Sequence, residues 1–137
     1  VFHMSEILSS RLPQAELEFK QDKQESITYH DPCRLGRWSG IYQYPRDILK
    51  QIPDVDLNEM PRNKESALCC GTTAWMECSG CSKAMQMERL NEATQTGASS
   101  LITACPKCQI HFSCAKTNTN LDIKIKDIYT YLAEHLE

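Results

Sequence analysis

The chain has 137 residues, a hydrophobic fraction of 41% and a formal net charge of −3. That length suits one domain able to bury its own core, and the mildly acidic balance excludes a surface built for nucleic acid or an anionic membrane. No apolar run approaches a transmembrane span, and no basic stretch leads into an apolar run at the N-terminus, so no secretory signal is read.

Residues 2–12 read as a short helix with Phe2, Ile7, Leu8 and Leu12 on one face, ended by Pro13. Glu16 to Lys20 alternates as an edge strand, and Gln21 to Ser26 is a polar turn. Ile27 to Asp31 is a strand with Ile27 and Tyr29 on one side, stopped by Pro32. Cys33 to Tyr44 reads as a loop with a helical turn, followed by a helix from Pro45 to about Gln51. Val55 to Met60 is a second strand and Pro61 to Lys64 a turn. A long helix is expected from about Trp75, or a little later, to Thr96, with Met85, Leu90 and Ala93 near helical spacing and Gly97 as its C′ residue. Ser100 to Ala104 is the most apolar strand and is placed centrally. A helix over Pro106 to Lys116, a strand over Leu121 to Ile125 and a closing helix over Ile128 to His135 complete the chain. Alternating strands and helices predict a three-layer α/β fold: a mostly parallel sheet of about four strands flanked by helices, with an extra edge strand near the N-terminus. In such sheets ligands gather beyond the carboxyl ends of the strands. Cys33 follows one strand and Cys105 another, so both are expected at one edge.

Eight cysteines carry the chemistry. Five form a framework: Cys33, then 35 residues, Cys69-Cys70-Gly71, and, with 34 residues between Cys70 and Cys105, Cys105-Pro106-Lys107-Cys108. A disulfide framework is one reading. The missing export signal and the awkward vicinal pair favour metal ligation in a reducing compartment instead. Adjacent side chains of an extended backbone point to opposite faces and converge poorly on one tetrahedral ion. Neighbouring irons of a cluster can accept both thiolates, and Gly71 can turn the chain with positive φ. Cys105 and Cys108 are placed at a helix N-terminus, where free amides favour thiolates; a thiol–disulfide pair is the alternative there. Arg34, Arg37, Arg46 and Lys107 lie beside these ligands in sequence. They are either solvated surface or cations that offset the thiolate charge and hold an acidic substrate. His30 is either hydrogen-bonded structure at a strand end or a proton donor to a leaving thiolate. Asp31 reads as a turn or cap residue. Cys78 and Cys81 form a CxxC that could take a second metal, oxidise or do nothing, and Cys114 reads as a buried small hydrophobe. Trp75, Met76, Met85 and Met87 read as core or interface.

The framework resembles the CCG cysteine-rich domain of the B-type and D-type chains of heterodisulfide reductase. Related iron–sulfur oxidoreductases of glycolate, lactate and anaerobic glycerol-3-phosphate oxidation carry the same domain. The flanking words match as well: Tyr29-His30-Asp31-Pro32-Cys33-Arg34-Leu35-Gly36-Arg37, Tyr42, Pro45-Arg46, Ile52-Pro53, Glu59-Met60 and Thr103-Ala104-Cys105-Pro106. The resemblance covers roughly residues 27–115. It implies an α/β fold and a non-cubane [4Fe–4S] cluster held by Cys33, Cys69, Cys70, Cys105 and Cys108. It also implies one-electron delivery to a thiol or disulfide small molecule. Zinc bound for structure or assembly is the alternative, although five thiolates exceed what one structural zinc takes. The electron-relay subunit of a glycolate, lactate or glycerol-3-phosphate oxidising complex is a further alternative. Partners implied are a second CCG domain and iron–sulfur, flavoprotein or membrane-anchor subunits. The expected place is the cytoplasm, or the inner face of a membrane reached through partners. The abrupt start at Val1-Phe2-His3 reads as a piece of a longer protein with two such domains.

Overall fold

The structure is a computed structural model and describes residues 1–20, 24–72, 79–117 and 119–137. Its elements in chain order are α1 (Met4–Arg11), β1 (Glu25–His30), α2 (Gln43–Leu49), β2 (Val55–Leu57), α3 (Gly80–Gln95), β3 (Ser100–Thr103), α4 (Pro106–Lys116), β4 (Lys124–Asp127) and α5 (Ile128–Glu134). The four strands form one parallel sheet in the order β2-β1-β3-β4. Strand alternation sends Ile27, Tyr29 and Ile102 to one face, where they pack on Ile48 and Leu49 of α2 and Ile128, Tyr131 and Leu132 of α5. Leu101 points to the other face and meets Leu90 and Ala93 of α3 and Cys108, Phe112 and Ala115 of α4. The result is the three-layer α/β arrangement expected from the alternation of elements. No described helix is long and apolar enough to cross a membrane.

The differences from the expected elements have local causes. Residues 16–20 do not join the sheet. Phe19 makes an isolated antiparallel bridge to Leu136, and Lys20 N–H donates to His135 O, so this segment clasps the chain's end. β4 begins three residues later than its apolar pattern suggests. Ile123, fully buried under α3 and α4, belongs to the approach, while the strand itself is Lys-Ile-Lys-Asp. Lysines suit an edge strand, because they deter pairing with another chain. α2 starts two residues before Pro45, which still falls in the first turn, where a missing N–H costs nothing. α3 is capped by Ser79, whose hydroxyl accepts from Ser82 N–H. The expected start of that helix at Trp75 lies outside the described residues. Gly97, at φ +75°, closes the turn after α3 as anticipated.

Asp31 is not a turn or cap residue. It is 3% exposed and accepts from Arg46 at 2.7 and 2.9 Å and from Lys64 N–H at 2.8 Å. Arg46, itself 2% exposed, also donates to Glu59 at 2.5 and 2.9 Å and to Tyr42 O at 2.7 Å. Hydrogen bonds to these two carboxylates hold the Arg46 guanidinium above its usual pKa against the cost of its burial. The network ties β1 to α2 and to the segment after β2. Removing one partner of a buried pair strands the other charge, which costs about 3–5 kcal/mol. Arg46→Met should therefore lower stability by about that amount, read from the midpoint of urea unfolding. An unchanged midpoint would show that Asp31 gains nothing from this pairing.

Candidate metal centre

Three chain segments bring the framework cysteines to one edge of the sheet. β1 and β3 are parallel neighbours with His30 opposite Thr103, so the residues that follow them leave at the same end. Cys33 opens a five-residue π-helical turn, Arg34–Trp38. Cys105 is the N-cap of α4, Pro106 occupies the first turn, and Cys108 follows within that turn. Cys69 and Cys70 arrive from a loop tied to the Cys33 turn, because Arg37 Nη2 donates to Ala67 O at 2.9 Å. Gly71 then reverses the chain at φ +77°. The Ser82 hydroxyl donates to Gly71 O. A Cβ at position 71 would lie 2.5 Å from Ser82 O and 2.9 Å from Gln86 Cγ, so the start of α3 closes on this turn.

Cys33, Cys70, Cys105 and Cys108 line one cavity of about 390 Å³, with Arg34, Lys107 and Thr72 in the same wall. Cys108 Sγ donates to Cys70 Sγ at 3.1 Å, and Cys70 Sγ lies 3.3 Å from Thr72 Oγ1. Hydrogen bonds from Cys108 and Cys69 pull the Cys70 thiol far below its ordinary range, in spite of burial. Those donors move the opposite way. Cys69 is raised by its bond to Cys70 and by burial, and Cys108 by its bonds to Cys105 and Cys70 and by burial. Cys105 is lowered to about 6, chiefly by the Cys108 thiol, with the first-turn amides of Cys108 and Lys107 adding to the pull. The group thus shares protons so that Cys70 and Cys105 become thiolates at neutral pH. Thiolates are the metal-binding form.

His30 stands behind the thiols. It is 1% exposed, and burial lowers its pKa. A ring nitrogen of His30 and the sulfurs of Cys70 and Cys108 lie within 4.8 Å of one another, a trio compact enough for one metal ion. Pro32, Arg34, Cys105 and Pro106 also line a neighbouring cavity of about 640 Å³, which reaches His3 and Glu6 at the start of α1. Cys105 is therefore approachable from two sides.

The other residues marked in the sequence fall in different places. Arg34 and Lys107 face the thiol cavity. Arg37 serves the tether to Ala67, and Arg46 is committed to Asp31 and Glu59. Cys81 is exposed on α3; Cys78 lies outside the described residues, as do Trp75 and Met76. Cys114 is exposed rather than buried, with Lys83 Nζ donating to its sulfur at 3.4 Å, because α4 turns that face outward. Met87 packs against the α3/α4 core and Met85 is half-buried. Arg89 was not anticipated. It is fully buried on α3, and its Nε donates to His30 Nδ1 at 3.2 Å. Ser82, Gln86, Arg89 and Ala93 share a face by helical spacing, and that stripe was the available signal. Polar residues in it conceal the buried side.

Two outcomes follow from this geometry. Gly71→Ala should lose about 1–2 kcal/mol from the left-handed backbone alone, with the clash against Ser82 O added. Its metal uptake should fall with its unfolding midpoint, and normal uptake would remove the Gly71 turn from the site. In metal-free protein, alkylation at Cys105 should accelerate as pH rises through about 6, while buried Cys108 reacts last. Mass spectrometry of alkylated peptides checks this, and a Cys105 rate that stays low up to pH 8 would deny the thiolate.

The model of the CCG cysteine-rich domain matches residues 27–113. The D-type chain of the dihydromethanophenazine:CoB–CoM heterodisulfide reductase of Methanosarcina barkeri is 34% identical over 138 residues, covering 99% of this chain and 34% of that protein. The Bacillus subtilis protein named "Probable iron-sulfur-binding oxidoreductase FadF" is 36% identical over 111 residues, covering 79% of this chain and 16% of its own length. The B-type chain of the fumarate reductase (CoM/CoB) of Methanothermobacter marburgensis is 30% identical over 141 residues, covering 96% and 26%. The chain thus spans about a third or less of each of these relatives. With the five-cysteine framework gathered at one sheet edge and the family model matched across it, this chain belongs to the CCG cysteine-rich domain family.

Proposed function

We propose that this chain is a redox module of a heterodisulfide-reductase-like oxidoreductase, with a [4Fe–4S] cluster held by Cys33, Cys69, Cys70, Cys105 and Cys108. The observation that carries the reading is the single cavity lined by four of those cysteines, with Cys69 bonded to Cys70 beside it. Soft thiolates suit iron–sulfur chemistry, and five of them exceed the need of one structural zinc. Such a cluster would supply one-electron transfer. The protein's own part is to hold the sulfurs as thiolates, to offset their charge with Arg34 and Lys107, and to leave Cys105 open to the neighbouring cavity. A thiol or disulfide substrate would approach there, with Arg34 to pair an acidic group. The relatives' names include a heterodisulfide reductase and an iron–sulfur-binding oxidoreductase, which supports both the class and the cofactor. The coverage of those relatives supports a module within a larger redox assembly, with further domains or subunits as partners. The cytoplasm, or a membrane face reached through such partners, suits free thiolates.

A second reading has its own observation. The most compact donor group among the described residues is His30, Cys70 and Cys108, which fits a single zinc in a structural or assembly domain better than it fits a five-thiolate cluster. Metal content separates the two. Anaerobic reconstitution should give about four irons and four sulfides per chain for a cluster of this type, and Cys70→Ser and Cys33→Ser should both abolish it. One zinc per chain, retained in Cys33→Ser and lost in Cys70→Ser, would replace the cluster reading with the zinc reading.

A further inference from the structure

The wall behind the thiols carries two donors that face it from the sheet. Among the described residues, His30 Nε2 and the Thr103 hydroxyl are both buried and make no hydrogen bond of ordinary geometry, while the Cys70 sulfur lies within 4.8 Å of a His30 ring nitrogen. They sit on adjacent strands at paired positions, so they share one face of the sheet. A buried donor left unmade costs about 1–3 kcal/mol. Sulfur anions in the adjacent cavity are acceptors of the right place and charge.

The state of the His30 ring follows from Arg89. A guanidinium has five N–H donors, no acceptor, and keeps its proton in proteins. The hydrogen between Arg89 Nε and His30 Nδ1, at 3.2 Å, therefore belongs to the arginine, and Nδ1 offers its lone pair. A neutral ring with a bare Nδ1 carries its proton on Nε2. The arginine is fixed in turn: Nη1 donates to Glu92 Oε2 and to Arg62 O, each at 2.6 Å. Phe112 meets the imidazole edge-on at 4.8 Å between centroids, which leaves the ring little freedom to flip.

We propose that Arg89 is a positioning residue that locks His30 as an Nε2–H donor to the thiolate centre, so that His30 hydrogen-bonds sulfur and does not ligate metal. The inference rests on the reading of a thiolate-held centre. It opposes a His30–Cys70–Cys108 zinc site, because Nε2 could bind a metal only by giving up its proton or by releasing Arg89. Hydrogen bonds to cluster sulfurs stabilise the more negative, reduced state and so raise the reduction potential.

Two measurements on the full chain test this. In metal-free protein labelled with ¹⁵N histidine, His30 should show a pyrrole-type Nε2 and a pyridine-type Nδ1. A protonated Nδ1, or a mixture of tautomers, overturns the assignment without touching the cluster reading. In reconstituted protein, His30→Leu should keep the wild-type iron content and shift the midpoint potential downward. His30→Gln, which keeps an N–H donor, should restore much of the shift. Loss of metal in both variants, to the level of Cys70→Ser, would make His30 a ligand and end the proposal. Arg89→Met, where it folds, should change the His30 tautomer signature; an unchanged signature also overturns the role given to Arg89. If no iron assembles in the unmodified chain while the Nε2–H tautomer is found, the cluster reading falls and the tautomer assignment stands.

Discussion

The parallel pairing of β1 with β3 is the constraint on which the site depends. It sets His30 against Thr103, and from that register Cys33 and Cys105 must leave the sheet at the same end. In an antiparallel pair the residues after the two strands would emerge at opposite ends, and the framework could not close. The crossover between these strands passes through β2, the vicinal pair and α3, so the longest connection delivers Cys69 and Cys70 to the same edge. Helical crossovers between parallel strands of this kind place helices on both faces of the sheet. Here α3 and α4 lie on the face that carries His30, and α4 brings Cys108 with it.

Gathering thiols has an electrostatic cost that the local structure spreads out. In the metal-free state the sulfurs act as donors and acceptors to one another, and Cys70 and Cys105 are driven toward thiolate while Cys69 and Cys108 are driven the other way. Two neighbouring anions are tolerable beside the N-terminus of α4, with Arg34 and Lys107 in the cavity wall. Binding a cation would draw off the remaining thiol protons, so metal affinity should be coupled to pH. The same arrangement explains why Asp31, one residue from the ligand segment, does not repel the site. Its charge is turned onto Arg46, on the Tyr29 side of the sheet.

Much of this was legible in the letters. The order of strands and helices, the facing of Ile27 and Tyr29, and α4 from Pro106 to Lys116 follow from apolar periodicity and proline placement. The cysteine spacing, read with the strand that precedes each anchor, gave the common edge. Errors came where apolarity and secondary structure part company. Ile123 is core but precedes its strand, and Phe19 bridges the chain end instead of extending the sheet. Cys114 shows the converse, since a small apolar residue on a helix says nothing of which face is covered. The burial of Arg46 and of Arg89 was hidden for a shared reason. A buried arginine is visible only through its partners, and those partners are distant in sequence: Arg46 answers to Asp31, and Arg89 to His30, which is 59 residues away.

Those two arginines act on opposite faces of one strand end, and their difference is instructive. Asp31 and His30 are successive residues, so their side chains leave β1 in opposite directions. Arg46 meets the Asp31 carboxylate and neutralises it, and also pairs with Glu59, so one guanidinium serves two carboxylates. Arg89 meets a neutral imidazole and finds its counter-charge in Glu92, which Arg62 also binds. The first network stabilises by pairing charge away from the thiols. The second leaves one guanidinium nitrogen, Nη2, without a hydrogen-bond partner among the described residues. A buried donor left without a partner is costly, so this second network is the less complete of the two. At the sheet edge itself, Arg34 and Lys107 in the cavity wall and the N-terminus of α4 favour negative charge before any metal is considered.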